Sequence, residues 1–138
     1  MTNLKVKVEI QIDLKQIAYL LCCAMEGGSN YWYFIPKYKK PDNPIAIMNA
    51  DDPHPEIYPH IDYALQEGGG IYVDDSQVGE EGTLEEPFLL DLESIKKGLM
   101  VMAEKYPYHF QNFMAENEDA DTGDCFLQCC VFGELVYG

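Results

Sequence analysis

The chain of 138 residues contains no arginine, and its strong bases are nine lysines set against 24 carboxylates. Proteins that hold nucleic acid through phosphate contacts need clustered Arg and Lys, so direct nucleic-acid binding is excluded. The same shortage speaks against an anionic membrane surface. The longest apolar run, Ile17 to Met25, falls well below the roughly 20 residues that span a bilayer, and no membrane partner is expected. Also missing are a CxxC pair, a GxSxG elbow, an HExxH helix and a P-loop; Gly68-Gly69-Gly70 lacks the Lys-Ser/Thr that cradles phosphate. His54, Glu56 and His60, near Asp51 and Asp52, are metal-capable types without ligand spacing, and Pro53, Pro55 and Pro59 suggest extended chain. No metal and no cofactor are assigned. No signal-peptide pattern precedes the five cysteines, an odd number placed in apolar runs, which read as buried free thiols in a reducing compartment.

What is present suits one domain. Apolar residues make up 47% and aromatics 12%, enough for a core and beyond the range of disordered acidic chains. The net charge of −15 is unevenly spread. Residues 1–40 hold six lysines and three acids, whereas residues 41–138 hold three lysines and 21 acids. The acids come in blocks: Asp51-Asp52, Asp74-Asp75, Glu80-Glu81, Glu85-Glu86, and Glu116, Glu118 and Asp119 on to Asp124. Such charge keeps a protein soluble, or steers it toward a basic partner.

The periodicities predict an α+β fold, a small mixed or antiparallel sheet with about four helices packed on it, over residues 1–138. Lys5 to Ile12 alternates, with Val6, Val8, Ile10 and Ile12 on one side, and reads as a half-buried strand. Asp13 reads as an N-cap with Gln16 in the capping-box place, opening a helix that Gly27-Gly28 ends by left-handed geometry. Tyr31 to Ile35 reads as a strand, 37–60 as a proline-rich excursion, and Pro59 to Gln66 as a short helix. Ile71–Val73 and Phe88–Leu90 suit a hairpin with a long acidic tip. Asp91 caps a helix through about Tyr106, Pro107 interrupts it, and Tyr108 to Glu116 resumes. Asp121 or Thr122 is the expected cap of the last helix, ended by Gly133.

Two stretches carry unusual polar groups. In Glu26-Gly27-Gly28-Ser29-Asn30-Tyr31-Trp32-Tyr33 a helix end runs into three aromatics, including the sole tryptophan. Ser29, Asn30 and backbone amides there suit a ligand beside a stacking ring; a tight turn into a core strand accounts for the same residues. Asp119, Asp121, Thr122 and Asp124 either cap the last helix and favour its dipole or form a cation site, and they lack EF-hand spacing. Gln128 and Glu134 are polar within an apolar terminal segment. Gln128 must meet solvent or a partner, since an unpaired buried amide costs about 1–3 kcal/mol.

These two ends, Leu20-Leu21 through Glu26-Gly27-Gly28-Ser29-Asn30-Tyr31-Trp32 and Asp119-Ala120-Asp121-Thr122-Gly123-Asp124 through Gln128 and Phe132-Gly133-Glu134-Leu135-Val136-Tyr137-Gly138, resemble a family of small proteins carried by phages, prophages and plasmids. The resemblance covers about half of the chain; the middle loops diverge. It implies a mobile-element accessory protein in the cytoplasm of a bacterial host, and it implies no mechanism. It also marks Glu26, Ser29, Asn30, Asp121, Asp124, Gln128 and Glu134, with Trp32 beside them, as candidates for a shared site. With the acidity, it leads to a non-enzymatic protein that inhibits a host-defence nuclease, of CRISPR or restriction type. An acidic, DNA-mimicking surface of Asp51, Asp52, Asp74, Asp75, Glu80, Glu81, Glu85, Glu86, Glu116, Glu118 and Asp119 would enter the partner's basic groove. The alternatives are a small-molecule or nucleotide site built from both ends, which requires them to meet in space, and a structural or assembly role in the phage particle.

Overall fold

The computed structural model describes residues 2–52, 59–76 and 80–138, the side chains at 59 and 60 excepted. Helix α1 (Leu14–Cys23) continues into a π-helical turn, Ala24–Gly28, and strand β1 (Phe34–Lys39) follows. A short helix α2 (Pro59–Asp62) leads through a 3-10 turn to β2 (Gly70–Asp74), β3 (Phe88–Leu90), α3 (Leu92–Lys105), α4 (Pro107–Met114) and α5 (Ala120–Phe132). The sheet is antiparallel in the order β1-β2-β3. Its inner residues Ile71, Val73 and Leu90 join one core with the helices. The fold is thus a small α+β domain, with four helices of eight residues or more on a three-stranded sheet among the described residues.

Much of this follows from local chemistry. Asp13 caps α1 by accepting from the Lys15 N–H at 2.9 Å. Asp91 and Ser94 form a reciprocal capping box at α3. Pro107 starts α4, where its missing N–H costs nothing. Gly133, at φ 74°, closes α5 in the left-handed conformation. β2 and β3 form the expected hairpin. Pro36 is tolerated because β1 is an edge strand with irregular register between Phe34 and Lys37.

Helix α5 is the centre of the fold and packs on α1, the π-turn, α3, α4 and β3. Two glycines let it come close. A Cβ on Gly123 would lie 2.5 Å from Ala24 N, and one on Gly98 of α3 would lie 2.2 Å from Cys130 Sγ. Cys125, Cys129 and Cys130 are buried and Cys22 and Cys23 half-buried, all as free thiols.

Five local expectations are corrected. Among the described residues Lys5–Ile12 pairs with no strand, and Val6 and Val8 are 70% and 72% exposed; the three-stranded sheet does not include this segment. Gln16 completes no capping box; its amide reaches Phe113 O at 2.9 Å. Tyr31–Tyr33 is a turn, and the strand starts at Phe34. Gly28 does not adopt a positive φ; it is glycine at a point where a Cβ would stand 2.1 Å from Ala120 O. The cap of α5 is Asp119, which accepts from Thr122 N at 2.9 Å, so the helix begins two or three residues earlier than a cap at Asp121 or Thr122 would place it.

Candidate functional site

The two end motifs meet. The π-turn and α5 cross where Gly28 faces Ala120, and this sets the 29–33 turn against the first turns of α5. Asp124 is the junction. Its Oδ1 accepts from Ser29 Oγ (2.8 Å), Trp32 Nε1 (2.8 Å) and Gln128 Nε2 (3.1 Å), and its Oδ2 accepts from Tyr31 OH (2.6 Å).

Gln128, one helical turn further on, ties in the C-terminal segment. Its Oε1 accepts from the N–H groups of Val136 and Tyr137, both at 2.8 Å, while Nε2 also donates to Tyr137 O at 3.2 Å. This brings the Tyr137 ring over Trp32, stacked at 5.6 Å and 14°, with Phe132 beside both. Tyr137 OH then donates to Asp75 Oδ2 at 2.8 Å. Asp75 also accepts from Thr83 N, Thr83 Oγ1 and Leu84 N, which folds the β2–β3 loop back on itself. One chain of contacts therefore links the 29–33 turn, α5, the C-terminal residues and the hairpin loop.

The electrostatics follow from this packing. Burial alone would raise the Asp75 carboxyl; the bonds from Thr83, Leu84 and Tyr137 outweigh it and hold the pKa below the usual value. Asp119 is held low chiefly by the Thr122 N–H. Burial of the phenol, then the bond to Asp124, pushes Tyr31 up to about 12. Tyr137 is raised by burial, then by Asp75. Asp121 and Glu80 add to these two shifts, so carboxylates from the α5 start and from the hairpin loop border the same aromatic patch.

The candidate residues divide accordingly. Ser29, Trp32 and Gln128 are buried and bonded to half-buried Asp124, whereas Glu26, Asn30, Asp121 and Glu134 are exposed and take no part in the network. Within the acidic set, Asp51, Asp52, Glu80, Glu81, Glu85, Glu86, Glu116 and Asp119 are exposed, Asp74 is half-buried, and Asp51 pairs with Lys15 at 3.0 Å. Asp75 is corrected from surface to interior: it is 5% exposed because four hydrogen bonds satisfy its carboxylate inside the fold. Glu118 is half-buried, and its Oε2 has no hydrogen-bond partner among the described residues. His54 and Glu56 lie outside the described residues, as does the His60 side chain. Among the described residues no cluster of three or more His, Cys, Asp or Glu is placed to hold a metal, and no helix is long and apolar enough to cross a membrane.

Sequence reasoning missed Tyr137, Thr83 and the Asp75 link. Tyr137 stood within a recognised end motif, but nothing in the spacing tied it to a loop 62 positions away. Chemically the network is closed: both Asp124 oxygens are occupied, and a ligand would have to break existing bonds to reach them. No family model, no curated protein and no solved structure matches the chain.

Proposed function

We propose that this chain is a mobile-element accessory protein that binds a basic host protein, occupying the nucleic-acid groove of a defence nuclease in the manner of a DNA mimic. One observation supports this reading above others. Glu80, Glu81, Glu85 and Glu86 on the hairpin loop, with Glu116, Asp121 and Glu134, are exposed and form no ion pair among the described residues. Their charge is directed outward, where it steers association with a positive surface. Near Asp121 and Glu134, Tyr31, Leu135 and Val136 are 52%, 41% and 42% exposed and offer apolar surface to such an interface.

The small-molecule reading draws less support, because the polar groups that both ends bring together satisfy one another. The test is affinity capture from a bacterial lysate at low and high salt, with wild type and with Glu80, Glu81, Glu85 and Glu86 all changed to Gln. A basic nucleic-acid-binding protein retained at low salt, released at high salt and lost with the variant is the expected result. Capture that ignores both salt and the four substitutions would remove the mimicry reading.

A further inference from the structure

The N-terminal arm has a strand's sequence without a strand's partner. Residues 2–13 form no helix and join no sheet, and residues 4–12 make no backbone hydrogen bond among the described residues. Leu4, Val6, Val8 and Ile10 are 86%, 70%, 72% and 49% exposed. An uncovered alternating apolar row with unpaired backbone is a template for another strand. Between the arm and α3 lies a groove of about 720 Å3, lined by Val8, Ile10 and Ile12 on one side and Leu92, Leu99 and Met100 on the other.

We infer that the arm is a dimerisation strand, and that two copies pair their arms antiparallel about a two-fold axis through Val8. The sequence is self-complementary in that register. Val8 faces Val8, Val6 faces Ile10 and Leu4 faces Ile12, so the apolar row stays continuous. On the other side Lys7 faces Glu9 twice and Lys5 faces Gln11. Directly opposed unlike charges stabilise an antiparallel pair and like charges oppose it. Centring the axis on Lys7 keeps two Lys5–Glu9 pairs but sets lysine against lysine, and centring it on Glu9 keeps two Lys5–Asp13 pairs but sets glutamate against glutamate; of these three registers only that through Val8 has attractive pairs and no like-charge pair. A two-stranded ribbon alone is marginal in water, and the groove beside α3 supplies the apolar cover it needs. The arm, carrying Lys5 and Lys7 against Glu9, also lies outside the acidic blocks, so two copies of a chain of charge −15 repel less there than across the acidic loops. A second copy is therefore the occupant the charge pattern fits.

Sedimentation equilibrium over micromolar to millimolar concentrations, with circular dichroism to verify folding, tests this. Wild type is expected to dimerise. Lys7→Glu and Glu9→Lys should each weaken dimerisation at least tenfold, because each turns both attractive pairs repulsive. The double variant Lys7→Glu/Glu9→Lys should dimerise again, and a mixture of the two single variants should form heterodimers. A wild type monomeric throughout, a dimer indifferent to both charge reversals, or a double variant that stays monomeric would each overturn the inference.

Discussion

The indole N–H of Trp32 is bonded to Oδ1 of Asp124 at 2.8 Å, across 92 positions of sequence. Because Ser29 and Gln128 share that oxygen and all three donor residues are buried, the carboxylate is worth more than any one bond. Asp124→Ala strands several buried donors, each costing about 1–3 kcal/mol when unpaired. A loss on the order of 2–4 kcal/mol is expected by urea titration. Asp124→Asn keeps one acceptor and should cost clearly less. Equal stability for wild type and the alanine variant would show that the network contributes nothing to folding.

The adjacent glycines Gly27 and Gly28 should behave oppositely. A Cβ at Gly28 would run into the backbone of Ala120, while one at Gly27 meets nothing within 4 Å. Gly28→Ala is expected to lose on the order of 2–3 kcal/mol through overpacking. Gly27→Ala should be neutral or gain about 0.4–1 kcal/mol through a less flexible unfolded chain. Thermal unfolding of the two variants decides it.

Acid should loosen the hairpin loop. The folded-state pKa of Asp75 is depressed, so its stabilising effect is complete above the unfolded carboxylate value of about 3.9 and is lost as pH falls through the folded value. Asp119 acts in the same direction. Asp75→Asn should be less stable at neutral pH and show a shallower decline below about pH 4. A decline of unchanged steepness would assign the acid sensitivity to other carboxylates.

At high pH the tyrosines report on the same region. Among the ten, Tyr31 and Tyr33 are both pushed up to about 12, chiefly by burial. Unfolded tyrosine ionises near 10, so stability is full below about pH 10 and is lost as pH rises toward the folded values. Phenolate absorbance should show a late step that shrinks in Tyr31→Phe. An absorbance curve complete by pH 11 in the folded protein would contradict the packing described.

Where a residue acts on its neighbours, the sequence reveals it. Asp13, Asp91, Pro107 and Gly133 all mark helix ends, and the hairpin of β2 and β3 follows from two short apolar runs around an acidic loop. Where the cause is a distant contact, local pattern misleads. The alternation of Lys5–Ile12 is a strand's, yet pairing depends on an available edge. Gly28 is read as a turn glycine, although Ala120 dictates it. Asp75 sits among surface acids in sequence, and only Tyr137 and Thr83 draw it inside. At the candidate site, Ser29, Trp32, Asp124 and Gln128 were legible, but Glu26, Asn30, Asp121 and Glu134 stand outside the network, and the mutual satisfaction of the first four depends on the approach of α5 to the π-turn.

Helix α5 supplies the surface on which α1, the π-turn, α3, α4 and β3 assemble, and it follows all of them in the chain. A nascent chain that has yet to make this helix has exposed apolar faces and nowhere to bury them. Its folding is thereby deferred until synthesis passes residue 132, with sequence-distant contacts slow to close. During that interval mutual repulsion among the carboxylates protects the unfinished chain from aggregation.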